Sequence, residues 1–186
     1  MRPVTVATTI TAPREQVYDL LADLSLRPAF CGHWLEDYRL ARANPRGEGA
    51  AARFRIDLPL AREWAEITIT TADRPRRIVE DGRIGRRGRS RLAVVYELTA
   101  EGKGATRVEL TVFSEPGAIT DRIKHLAATG RTRRKARKAL GRLRSIFEEG
   151  TATDLPHARV AGYEASKAPR FGDHVPTGRS IAPADR

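Results

Sequence analysis

Hydrophobic and polar positions along the chain follow two periods, and the places where one gives way to the other outline the fold. "VTVATTIT", residues 4–11, is β-branched and alternating, which predicts a strand. In "APREQVYDLLADL" the apolar residues Val17, Leu20, Leu21 and Leu24 recur at helical spacing, and Pro13 suits the first turn. "SLRPAFCGHW" is broken by Pro28 and Gly32 and reads as a short second helix or an irregular turn.

From Asp37 the period becomes two. "EDYRLARA" predicts a strand, and "NPRGEG" a turn. Phe54, Ile56 and Leu58 then face one way, as do Ala65, Ile67 and Ile69 on the next run. "RRIVEDGRI" is a weaker strand. Leu92, Val94, Tyr96 and Leu98 form one apolar set, and Val108, Leu110 and Val112 another. Such alternation across successive hairpins marks an antiparallel sheet with one wet face. A long helix is predicted from about Ala118 to Glu149, with Gly150 as its C-cap. A curved sheet laid against that helix is the simplest packing that buries both apolar surfaces.

Residues 151–186 differ. Pro169, Pro176 and Pro183 are spaced by glycines without sustained periodicity, a composition that buries too little apolar surface to order itself. The expectation is one folded domain over 1–150 and a flexible tail over 151–186, with Tyr163 and Phe171 as potential anchors. The tail holds five basic and four acidic residues, so the net charge of +11 rests almost wholly on residues 1–150. That charge bears on partners and solubility rather than on fold.

A single cysteine, Cys31, excludes an internal disulfide and fits a reducing compartment. The first residues lack the apolar run of a signal peptide, and nowhere are 18 apolar residues uninterrupted. A soluble cytoplasmic protein is expected.

The most basic stretch is "GRTRRKARKALGRLR", residues 130–144, with eight basic side chains and no acidic one. On a helical wheel Ala136, Leu140, Leu143 and Phe147 form the buried stripe. Ile119, Ile123 and Leu126 form an earlier one, and Gly130 between them could kink the helix so that the two align. Most of the cations then fall on outer faces, where solvation alone accounts for them. Arg133 and Arg137 share the face of Leu126 in an unbroken helix, and would point at the sheet and at a ligand's acidic group. A second basic cluster runs from Arg74 to Arg91. Together the two clusters could attract polyanions such as nucleic acid or anionic lipid. No aromatic residue is interleaved with either cluster, so neither forms a stacking platform.

Candidate chemistry is sparse. "CGHWLED" gathers Cys31, His33, Glu36 and Asp37, but a nucleophilic cysteine needs a base within hydrogen-bond reach, and a structural role is the default. His33, His125, His157 and His174 are scattered, so no metal is expected, and no cofactor. Trp64 and Glu66 point to solvent in a regular strand, whereas a bulge would turn the indole inward. Tyr96 travels with an apolar set, which makes it the candidate polar group of the interior; Tyr96 or an inward Arg is the candidate for proton transfer.

In order along the chain, "ITAPREQVYDLLADLSLRPAF", "GEGAAARFRI" and "TADRPRRIVEDGR" resemble the SRPBCC superfamily, the helix-grip proteins that include polyketide cyclases/dehydrases and START lipid-transfer domains. The matching positions at the start are Ala12, Pro13, Glu15, Val17, Tyr18 and Asp23. Where that family often has Trp after the second helix's proline, Phe30 stands nearest here, with Trp34 further on. The resemblance implies an α+β helix-grip fold: about seven antiparallel strands curved around a long C-terminal helix, with two short helices after the first strand. It also implies an apolar cavity for a lipid, polyketide or other hydrophobic molecule. Its binding residues would be Trp34, Phe54, Ile56, Tyr96, Leu110, Leu126, Arg133 and Arg137. The family spans binding proteins and enzymes without a shared catalytic set, so a polyketide aromatase/cyclase or dehydratase stays open beside simple binding. Oligomeric state is not legible.

Overall fold

A computed structural model describes residues 3–58, 61–85, 88–117, 119–150 and 155–162, with side chains left out at positions 57, 58, 61 and 119–128. Strand β1 (Val4–Ile10) leads into helix α1 (Arg14–Ala22), a 3-10 turn (Leu24–Leu26) and helix α2 (Arg27–Cys31). Six strands follow: β2 (Leu35–Leu40), β3 (Ala51–Leu58), β4 (Ala61–Asp73), β5 (Arg77–Ile84), β6 (Ser90–Glu101) and β7 (Ala105–Glu115). The long helix α3 (Ile119–Glu148) comes last, and Gly150 beyond it takes a positive φ of 70°.

The strands make one antiparallel sheet in the order β1-β7-β6-β5-β4-β3-β2, so the first strand pairs with the last and every other neighbour is a hairpin. This is the helix-grip arrangement expected from the sequence. Its register follows the alternation: Phe54, Ile56, Ala65, Ile67, Ile69, Leu92, Tyr96, Leu98, Val108 and Leu110 are all buried on one face. Trp64 is 45 % exposed on the other face, as a regular strand requires. There it lies between Arg53 and Arg55, their guanidinium carbons 4.7 and 5.8 Å from its ring centre. Along α3 the buried stripe is Ala136, Ala139, Leu140, Leu143 and Ile146, and the helix is continuous through Gly130.

Polar side chains pin the short elements. Asp23 caps the 3-10 turn, its Oδ1 accepting from Ser25 N at 2.9 Å and Ser25 Oγ at 2.6 Å. Arg46 donates to its other oxygen at 2.8 Å. Burial works to raise the Asp23 pKa, but these bonds hold the carboxyl below the ordinary range. Thr106 Oγ1 donates to the Ala12 carbonyl at 2.8 Å, fixing β7 to the entry of α1.

Residues 155–162 fall inside the stretch read from sequence as a tail. They run beside β2: Leu40 N donates to Arg159 O, and Ala161 N to Leu40 O. Leu155, Ala158 and Val160 pack against the core. Tyr163 and Phe171, the expected anchors, lie outside the described residues. Among the described residues no helix is long and apolar enough to cross a membrane.

Candidate functional site

Among the described residues the interior holds an ionic cluster assembled from three distant parts of the chain. Arg27 opens α2 with only 2 % of its surface exposed. Its Nη2 donates to Glu80 Oε1 and, at 3.1 Å, to the Leu21 carbonyl at the end of α1. Its Nη1 donates to the Tyr96 hydroxyl. The guanidinium also lies over two rings, 5.4 Å from the centre of Phe30 and 5.0 Å from that of Tyr96. Glu80 is 1 % exposed because β5 alternates: Ile78, Glu80 and Ile84 are buried, while Arg77, Asp81 and Arg83 are exposed.

Burial opposes the charge on both partners. It pushes the Glu80 carboxyl up against the pull of Arg27. On Arg27 burial is the largest influence and works against the charge, but Glu80 and the other groups around it together outweigh burial and keep Arg27 protonated. Burial raises the Tyr96 phenol well above its ordinary range, so Tyr96 stays neutral. Three donors at or beside this cluster are left over, one of them the buried Tyr38 hydroxyl, which Arg27 and Glu80 influence electrostatically. Arg27 Nε is buried without a partner, and the Tyr96 hydroxyl, which accepts from Arg27, has no acceptor for its own proton among the described residues.

The cluster borders a cavity of about 50 Å³. Apart from Arg27, Glu80, Tyr96 and Cys31 the lining is apolar, and Trp34, Leu35, Val94 and Val112 on it are only partly buried. A space of this size holds a few waters, whereas pockets for whole small molecules run to roughly 300–1,000 Å³.

Of the residues singled out from sequence, Trp34, Phe54, Ile56, Tyr96 and Leu110 line this cavity. Leu126, with Ile119 and Ile123, lies outside the residues whose side chains are described. Arg133 and Arg137 do not border the cavity; both are exposed on α3. The stripe centred on Ala136 and Leu140 sets the rotation of the helix. Arg137, one residue beyond Ala136, is thereby turned about 100° away from the sheet. Arg27 and Glu80 were missed. The alternation Ile78, Glu80, Gly82, Ile84 already carried the sign of an inward carboxylate, but nothing in "SLRPAF" marks Arg27 as buried.

The "CGHWLED" residues do not form a nucleophile and its base. Burial pushes the Cys31 thiol up to about 12, so it is protonated at neutral pH. His33 instead ties the α2–β2 connection to α3. Its Nε2 lies 3.1 Å from Lys135 O, Arg142 Nη1 lies 3.3 Å from its Nδ1, and Lys135 Nζ donates to the His33 carbonyl at 3.0 Å. Among the described residues no group of histidine, cysteine and carboxylate side chains is placed to hold a metal.

The model of the family "Polyketide cyclase / dehydrase and lipid transport" matches residues 1–148. The chain belongs to this family, within the SRPBCC superfamily. Solved structures share its fold at low identity. The KanY protein is 15 % identical with a TM-score of 0.62, over 79 % of this chain and 97 % of its own. TTHA0849 from Thermus thermophilus is 19 % identical with a TM-score of 0.61, over 82 % and 100 %. DynU16, from the dynemicin biosynthetic locus, is 20 % identical with a TM-score of 0.53, over 83 % of this chain and 48 % of its own. At such identities the likeness speaks for fold alone. None of the curated proteins matches the chain.

Proposed function

We propose that this family member binds a small, largely apolar molecule whose polar end carries an acceptor oxygen, received by Arg27 and Tyr96. The observation that carries the reading is that Arg27 Nε and the Tyr96 hydroxyl are leftover donors on residues that line an otherwise apolar cavity. A buried donor without an acceptor is costly, on the order of 1–3 kcal/mol, and a ligand oxygen would relieve that cost. Because Glu80 already balances Arg27, a neutral carbonyl or hydroxyl suits the site better than a carboxylate, which would add a second buried negative charge. At about 50 Å³ the cavity takes only the polar end. The body of a polyketide or lipid would have to displace Trp34, Leu35, Val94 and Val112 outward.

Native mass spectrometry and calorimetry with a panel of neutral aromatic ketones and phenols test this on the full chain. Binding by the wild type, weakened about three- to tenfold in Tyr96→Phe, is the expected result; a lost hydrogen bond between neutral groups, about 0.5–1.5 kcal/mol, accounts for that size. Equal affinity in the variant, or no binding across the panel, refutes the reading.

A second reading, a cyclase or dehydratase, draws on Glu80. It is a buried carboxyl at the cavity whose proton affinity is raised, the property a general acid or base needs. In that case Glu80→Gln binds the substrate but does not turn it over.

A further inference from the structure

We infer that the outward face of α3 is a docking surface for the phosphate backbone of duplex DNA. Arg133, Arg134, Arg137, Lys138, Arg142 and Arg144 are all exposed there. Arg144 is paired with Glu148 at 3.2 Å, and Arg142 reaches His33. Arg133, Arg134, Arg137 and Lys138 have no carboxylate partner among the described residues. A merely solvated helix face interleaves acids with bases, because opposite charges three or four residues apart stabilise it and like charges destabilise it. Here Arg133 and Arg137, Arg134 and Lys138, and Lys138 and Arg142 are like-charged pairs at that spacing. The fold gains nothing from this arrangement, since the helix is held by Ala136, Ala139, Leu140, Leu143 and Ile146 on its other side.

Two glycines sharpen the picture. Gly130 and Gly141 are exposed, and a Cβ on either would touch nothing within 4 Å, so neither is required by packing. Eleven residues apart, they fall within about 20° of each other around the helix axis. Both lie on the outward strip, with the free cations to either side. The result is a bare backbone line between two rows of positive charge about 12–17 Å long.

The choice of duplex DNA follows from what this face lacks. A helix that rests in a bilayer surface commits a large apolar face to the lipid, and over residues 136–146, behind the cations, the apolar face of α3 is already committed to the core. Single-stranded RNA is bound by stacking bases on aromatic rings, and no aromatic side chain stands on this face. What remains is charge alone, which suits a regular phosphate backbone and gives binding without sequence preference.

The test is fluorescence anisotropy of the full chain with a labelled 20-base-pair mixed-sequence duplex, between 0.05 and 0.2 M NaCl. With four or five phosphate contacts, log Kd should rise with log salt at a slope of about 4. Combining Arg134→Ser, Arg137→Ser and Lys138→Ser should flatten that slope by about 2–3 and raise Kd about 10–100-fold. Combining Arg39→Ser, Arg83→Ser and Arg107→Ser removes the same charge from exposed sheet positions, and should leave Kd within about threefold. A footprint on the unaltered protein gives a second readout: duplex should slow acetylation of Lys138 several-fold but not that of exposed Lys103. Equal losses in the two triple variants, or equal acetylation of the two lysines, overturn the proposal. So does binding to vesicles of anionic phospholipid without binding to duplex.

Discussion

Arg27, at the start of α2, donates to Glu80 in the middle of β5, and both side chains are at most 3 % exposed. This ion pair joins the short-helix segment to the sheet through the interior, with the Tyr96 hydroxyl as a third member. A desolvated pair of this kind contributes little net stability compared with apolar residues of the same volume, yet breaking one half is expensive. Its position on the cavity wall is what makes it a candidate site.

That asymmetry can be measured. Glu80→Ala leaves Arg27 charged, buried and unbalanced, and should cost about 3–5 kcal/mol in chemical denaturation. The double variant Arg27→Met with Glu80→Leu removes both charges at similar volume and should stay within about 1 kcal/mol of the wild type, or exceed it. Ligand binding should be lost in the double variant although it folds. A single-variant loss below about 1 kcal/mol would mean that the pair is hydrated and not desolvated.

His33 should make stability depend on pH. Burial, followed by the nearby cations Arg142, Lys138 and Lys135, holds its pKa below the usual value, against the contrary pull of its bond to Lys135 O. The folded state therefore favours the neutral ring. Its contribution is fully present above the unfolded value, near 6.5, and is lost as pH falls through the lower folded value. Thermal melts from pH 7.5 to 5 should show the wild type losing about 1–2 °C more than His33→Gln, a small effect because the ring is half-exposed. Asp19 and Asp23, both held below the ordinary carboxylate range, act at lower pH, outside this window. Parallel curves for the two proteins would remove His33 as the cause.

Gly130 and Gly141 should be replaceable at a gain. Each stands within α3 with open space where a Cβ would be, so alanine brings helix propensity without a clash. Gly130→Ala and Gly141→Ala should each stabilise the protein by about 0.5–1 kcal/mol, seen as a Tm higher by about 1–4 °C. A lower Tm in either would mean that the helix needs glycine's freedom there.

The sequence by itself determined the order of elements, the strands' inward faces and the long helix. In all of these one chemical signal, period two or period 3.6, is repeated over many residues, and local geometry converts it directly into a buried face. It also brought Phe54, Ile56, Tyr96 and Leu110 to the cavity wall, since an inward residue of a curved sheet must face whatever the sheet encloses. Tertiary structure alone decided the rest. Arg27 is buried because Glu80 and Tyr96 come to meet it from residues 53 and 69 positions away, a pairing no local pattern encodes. Arg133 and Arg137 face outward because Ala136, Leu140 and Leu143 set the rotation of α3 against the sheet. Residues 155–162 lie beside β2 because an edge strand offers unpaired backbone groups, an attraction that belongs to the sheet and not to the segment's own composition.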